Sequence, residues 1–343
     1  MAMADITVRG AGVFGLAIAW ACLLRGASVQ VIDPAGPGAG ASGGIVGALA
    51  PHVPENWNDK KAFQLDSLLM AEDFWRGVSE ASGRSPGYAR TGRLQPLPEG
   101  GAELAGARGQ GAETLWQGRA AWRVESASDF AHPPVSTNGQ VIHDTLTARV
   151  HPAQACAALS AAIIARGGKI AATGADAGHV LWATGAADLA LLNAAHHRQV
   201  GAAIKGQAAL LDFAMPDQPQ IFAGGVHIVP HEDGTTAVGS TTEREFGSLA
   251  TDAQLGDVIA AARAALPALE GAPVIQRWAG LRPRARSRAP MLGAHPLHPG
   301  QFIANGGFKI GFGMAPKVGD VMARLMLEAE DLIPDGFRPD ASM

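Results

Sequence analysis

The chain has 343 residues, 47% of them hydrophobic, and a formal net charge of −4. That length allows two domains or one elaborate one, and the mild acidity argues against a surface built for polyanions such as nucleic acid. Its two cysteines, Cys22 and Cys156, sit in alanine-rich helical patterns without metal-like spacing, so they read as small core residues, and neither a disulfide framework nor a metal site is expected.

In chain order, a short apolar run from Ile6 to Val8 leads into Gly10-Ala11-Gly12-Val13-Phe14-Gly15, an alanine-rich segment, and then Val29-Gln30-Val31-Ile32-Asp33. The order reads strand, glycine turn, helix, strand, acid. Gly10 suits a tight turn, Gly12 a close approach to a pyrophosphate, and Gly15 close packing of helix on strand. The helix would aim its free N–H groups at the phosphates while Asp33 accepts from ribose hydroxyls, so the segment predicts dinucleotide binding. Arg9 interrupts the apolar strand and is expected to snorkel to the surface. Leu16 to Leu24 follows a glycine fingerprint and lacks the flanks of a signal peptide. No other uninterrupted apolar stretch is long enough to span a bilayer, which makes a cytoplasmic setting the default expectation.

Next comes a Pro/Gly/Ala-rich loop from Pro34 to Gly47, of the kind that lies against a ligand. The spacing of Phe63, Leu65, Leu68, Leu69, Phe74 and Trp75 predicts a helix from Lys61 to Val78. From Ser82 to Asn138 short apolar pieces broken by Gly and Pro suggest a more β-rich second domain. His151-Pro152 opens a helix that runs to Ala165 and ends at Gly167-Gly168, before a strand at Lys169-Ile170. Val180 to Ala183 reads as a strand ending in the small-residue turn Thr184-Gly185-Ala186. Alternation from Ala202 to Gly247 predicts antiparallel strands. A helix from Asp252 to Leu266, the sharp change of course Trp278-Ala279-Gly280-Leu281-Arg282-Pro283, a strand Phe302-Ile303-Ala304, a glycine loop and a helix from about Pro316 to Leu327 complete the chain. The fold class expected is α/β: a Rossmann-like domain interleaved with an α+β substrate domain built on an antiparallel sheet.

The ordered blocks resemble the FAD-dependent D-amino-acid oxidase family, most closely its glycine oxidase branch, nearly end to end. Carrying the resemblance are Gly10 to Asp33; Ala41-Ser42-Gly43-Gly44-Ile45-Val46-Gly47-Ala48-Leu49; Ile228-Val229-Pro230 through Val238-Gly239-Ser240-Thr241; and Trp278 to Pro283, followed by Pro290-Met291-Leu292-Gly293 and Asn305 to Pro316. The resemblance implies an FAD-binding domain from residues 1–81, 145–200 and 280–343 and a substrate domain from 82–144 and 201–279. It implies FAD contacts at Gly10, Gly12, Val13, Phe14, Gly15, Asp33, Pro34, Ala41, Ser42, Val46, Gly47, Ala48, Thr184 and Gly185. At the far end of the chain it adds Gly307, Phe308, Lys309, Ile310, Gly311, Phe312 and Gly313. Backbone N–H groups of that last loop, with a helix start behind them, can stabilise negative charge on a reduced flavin; the plain alternative is a strand-to-helix turn. Neither cysteine matches a site of covalent flavin attachment, so noncovalent FAD is expected.

In the family the arginine matching Arg282 grips the substrate carboxylate, and a planar, always-charged fork suits that task. Its plain alternative is a surface ion pair. Lys309 falls where glycine oxidase has a second substrate-binding arginine, and His227 where that branch has a tyrosine; the only tyrosine here is Tyr88. His227 can bind a carboxylate or amine or serve a purely structural role on an edge strand. Ser287 replaces a common aspartate, and Arg284, Arg286 and Arg288 share a face with Arg282 if that stretch is extended. His52 is either a ligand contact or a satisfied loop histidine.

The resemblance thus implies oxidation of the C–N bond of glycine, sarcosine or a D-amino acid by hydride transfer to FAD, with Arg282, Lys309 and His227 at the substrate. Dioxygen or another acceptor would reoxidise the flavin. The partners expected are the small amine and that acceptor, with no membrane span; a homo-oligomer is left open. Two alternatives stand beside this. The run from Ala41 to Pro51 is also similar to the FAD domain of a tRNA wobble-uridine modifying enzyme, against which the acidic charge argues. The departures at Lys309, His227 and Ser287 keep a flavin-binding protein without turnover in view.

Overall fold

The computed structural model describes residues 4–343; residues 1–3 of the expected first domain segment lie outside the described residues. A six-stranded sheet runs in the order Met291–Ala294, Phe302–Asn305, His179–Trp182, Ile6–Arg9, Val29–Ile32, Lys169–Ala171. Its neighbours are parallel except for the edge pair Met291–Ala294 and Phe302–Asn305. Parallel pairing forces crossover connections, and the helix Val13–Leu24 supplies the first of them. Val13 to Cys22 are all buried, because this helix is covered on every side by the sheet and by the helices Pro152–Ala165 and Gly311–Glu328. Helix Asp59–Ser82 packs against the last two of these, and the four helices share one core with Ile6, Val8, Val29 and Val31.

The Asp59–Ser82 helix extends beyond the predicted bounds at both ends. Asn58 caps it by accepting from Lys61 N–H at 3.1 Å, and Gly83 ends it with φ of 64°. Arg9 reaches Asp176 at 2.8 Å and lies over Trp182, so its charge is paired at the C-terminal end of an interior strand.

An eight-stranded sheet runs in the order Val274–Ala285, Gly201–Leu211, Thr236–Gly239, Val226–Pro230, Gln220–Ala223, Arg93–Pro96, Gln140–Asp144, Trp122–Ser126. All its pairs are antiparallel except Gln220–Ala223 with Arg93–Pro96. Because side chains alternate along a strand, the pairing register divides its residues into two faces. One face presents Leu94, Ile221, Ile228, Val238 and Ala209 to the helix Ala253–Ala265 in a second core. The other carries a continuous row in which Arg93 pairs with Gln220, Phe222 with His227, His227 with Gly239, Gly239 with Ala208, and Ala208 with Trp278. Arg282 lies on this second face, four residues beyond Trp278 on the same strand.

Three expectations need correction. The segment expected to be β-rich contains the helix Ala102–Leu115, whose Gly109 and Gly111 let it sit directly on the carbonyls of Trp122 and Pro54. The C-terminal helix begins at Gly311, so Gly311-Phe312-Gly313 is its first turn and Pro316 lies inside it. Ser67 Oγ meets the Lys317 N–H at 3.2 Å just past that proline. Finally, the arginine alternation ends with the strand at Ala285: Arg286 binds the C-terminal carbonyls of Ser342 and Met343, and Arg288 turns away at φ of 61°.

Candidate active site

Residues of both sheets line one cavity of about 830 Å³. At one end is the glycine turn. Gly12, Val13, Phe14 and Asp33 line it, whereas Gly10, Gly15 and Pro34 do not. Gly10 and Gly15 act from behind: a Cβ on Gly10 would lie 2.4 Å from the Ala183 carbonyl oxygen, and one on Gly15 2.0 Å from that of Gly10. Asp33 accepts from the Ala11 and Ala35 N–H groups at 2.8 and 2.9 Å, which pins the turn and leaves carboxylate lone pairs for hydroxyls. Ser42 Oγ accepts from Val13 N–H, at the helix start, at 2.9 Å. Ala41, Ser42, Val46, Gly47, Ala48, Thr184 and Gly185 all join this lining.

Also lining the cavity are Gly307 to Gly313, Trp278 to Pro283 and His227, with Gly307 against the Phe14 ring. Phe308 N–H donates to Pro283 O at 2.9 Å, tying the loop to the Arg282 strand. The Arg282, Arg284 and Lys309 cations gather round the Phe308 ring at 5.6, 5.5 and 5.8 Å.

Arg282 is 9% exposed and is seated on Gly206, where an added Cβ would fall 2.0 Å from Nη2. It donates to Ser240 Oγ at 2.8 Å and to Thr241 O, and its Nε has no partner. No carboxylate pairs with it among the described residues, and burial pushes its pKa down to about 10. Behind it Lys205 lies 3.1 Å from Glu243 and 2.9 Å from Asp252, holding the loop that supplies those acceptors.

Burial lowers the Lys309 pKa, with Arg282 adding repulsion. His227 is on an interior strand, so the edge-strand reading does not apply. Burial, then Arg93 and Lys309, push it down to about 3, which makes it neutral, and its Nδ1 has no partner.

Outside the cavity lining are His52, whose Nδ1 meets Gln64, and Ser287, which accepts from Ala289 N–H at 3.3 Å in a turn. Cys22 and Cys156 are buried free thiols held up at about 12, away from the cavity. Sequence reasoning missed Arg93 as a cavity residue. Its Nε pairs with the buried Asp144 at 2.9 Å, and the signal was only a charged residue inside the apolar piece Gly92 to Leu97.

A Rossmann-like sheet joined to an antiparallel one, with a glycine-lined cavity between a helix start and a cluster of cations, defines a dinucleotide-dependent redox protein. The chain belongs to the FAD-dependent oxidoreductase family, whose description matches residues 5–325. It is 26% identical to the glycine oxidase of Geobacillus kaustophilus, with 96% of this chain and 95% of that one covered. Against the glycine oxidase of Pseudomonas putida it is 34% identical over 143 residues, which span 41% of this chain and only 39% of that protein. The fold is that of iminodiacetate oxidase from Chelativorans sp. BNC1, with a TM-score of 0.83, 21% identity and coverage of 97% and 98%. FAD is the family's cofactor, and the residues present fit it. The helix start at Val13 lines the cavity with Gly12 and Ser42, and the same lining includes the Gly307 turn.

Proposed function

We propose that the protein oxidises the C–N bond of a small amino acid or amine of the glycine, sarcosine or D-amino-acid type. The observation carrying this reading is Arg282, a buried guanidinium that lines the cavity together with the Gly307 turn and makes no salt bridge among the described residues. Two parallel hydrogen bonds from such a fork fix a carboxylate and with it the adjacent α-carbon. Gly12, Val13, Phe14, Asp33, the Ala41 to Ala48 loop, Thr184, Gly185 and the turn from Gly307 to Gly313 would hold FAD, with Gly10 and Gly15 shaping the first turn.

The chemistry FAD supplies when bound is acceptance of a hydride from the substrate α-carbon, followed by reoxidation by dioxygen or another acceptor. Arg282, Lys309 and Arg93 together lower the pKa of a nearby amine, which favours the neutral form that can lose hydride. Neutral His227 lines the cavity, and through Nε2 it can accept a hydrogen bond from that amine. The imine left on the substrate hydrolyses in water. In this reading residues 1–81, 145–200 and 280–343 serve FAD, and 82–144 and 201–279 serve the substrate.

The purified protein should be yellow, and glycine, sarcosine or a D-amino acid should bleach its flavin absorbance anaerobically. A colourless protein that takes up no FAD overturns the proposal.

A further inference from the structure

Arg93 enters this chemistry only through its charge, and its hydrogen-bond donors are left unused. It is 7% exposed, on the same sheet face as His227 and Arg282, and it lines the cavity. Its Nε is spent on Asp144, whose other oxygen accepts from Thr147 N–H at 2.9 Å, but its two Nη groups have no protein acceptor among the described residues. A structural ion pair needs no such spare donors turned to a ligand cavity. The charge balance points the same way. Among the described residues Arg282 and Lys309 make no salt bridge, Glu243 acts on Arg282 only at a distance, and Asp33 is the only carboxylate lining the cavity. Arg93 and Lys309 both act on His227, and Lys309 lies with Arg282 at the Phe308 ring and within its field. A substrate with one carboxylate at Arg282 leaves the Arg93 donors unanswered.

We propose that Arg93 forms a second anion point on the sheet face it shares with Arg282, so that the amine oxidised here carries two carboxylates. The inference rests on the C–N oxidation reading and narrows its substrate to a dicarboxylic amine. Arg93 suits the task because Asp144 offsets the cost of burying it and fixes its orientation, leaving the Nη pair to read a carboxylate. Arg93 acts here on specificity, by touching the substrate group that does not react.

The test compares matched ligands that contain no C–N bond and cannot turn over, methoxyacetate and oxydiacetate, titrated into the FAD-loaded protein by calorimetry and by perturbation of the flavin spectrum. A charge-assisted hydrogen bond predicts that oxydiacetate binds about ten-fold or more tighter. Arg93→Met strands Asp144 in the interior, so the decisive variant is Arg93→Met with Asp144→Asn, which removes both charges. In it the ratio of the two Kd values should fall to near one. Equal Kd values in the wild type, or a ratio unmoved in the double variant, overturn the proposal. Anaerobic flavin reduction by sarcosine and iminodiacetate is scored separately. If neither reduces the flavin while the ratio holds, the C–N oxidation reading fails and the anion point stands.

Discussion

Arg282 is where charge, burial and geometry meet, and its substitution should be specific. Arg282→Lys keeps a cation but loses the fork, and one charged hydrogen bond lost predicts a rise in Kd for a carboxylate ligand of roughly ten-fold or more, with FAD retained. Because burial holds the guanidinium at about 10, carboxylate binding should be level through neutral pH and weaken as pH rises through that value. A titration of Kd against pH that stays flat above it would contradict the assignment. His227 gives the opposite limb. Its pKa falls from 6.5 unfolded to about 3 folded, so the unfolded chain gains a proton that the folded one refuses. The fold has full stability from this group above 6.5 and loses it as pH falls towards about 3, by up to about 1.4 kcal/mol per unit. Melting temperature followed down this range should decline less steeply in His227→Gln.

Among the elements, the glycine turn and the large sheet make separable predictions. Gly12→Val puts branched methyls beside Ser42 Oγ, where a Cβ already stands at 3.3 Å, and directs them into the cavity; the variant should fold but lose its yellow colour on gel filtration. Gly206→Ala should do the reverse, keeping FAD while displacing Arg282 and weakening carboxylate binding in a flavin-perturbation titration. The first of these sites was legible in the sequence because turn, helix start and acid lie within one short stretch whose spacing is set by local geometry. The second was not, since nothing near Gly206 in the chain records that Arg282 will lie across it. The helix Ala102–Leu115 was hidden for a related reason. Its glycines weaken every local helix signal, and only contact with the carbonyls of Trp122 and Pro54 explains Gly109 and Gly111. Arg93 reaches the site through the one parallel pairing in the larger sheet, to Gln220, a register that no local pattern encodes.

At the level of the whole molecule, each sheet is assembled from separated stretches of chain, and the cavity is lined by both. A cofactor gripping both sheets binds the folded chain alone, so FAD at a hundred times its Kd should stabilise the protein by about 2.7 kcal/mol. Calorimetric melting temperatures with and without added FAD measure this; no rise on saturation would mean that the cofactor does not bridge the sheets. Among the described residues no helix is long and apolar enough to cross a membrane.

The seat of Arg282 on Gly206 has two companions: Val46 lies over Gly239, and the Trp278 ring over Gly280. Three side chains at the site are thus inlaid in the sheet, each in a recess made by a missing methyl group. Such a site takes its shape from the backbone that carries it, and its side chains have little room to choose another conformation. Substitutions far along these strands that alter the twist would therefore retune recognition without altering any contact residue. Grafting the arginine onto a sheet without its glycine would transfer the charge and lose the aim.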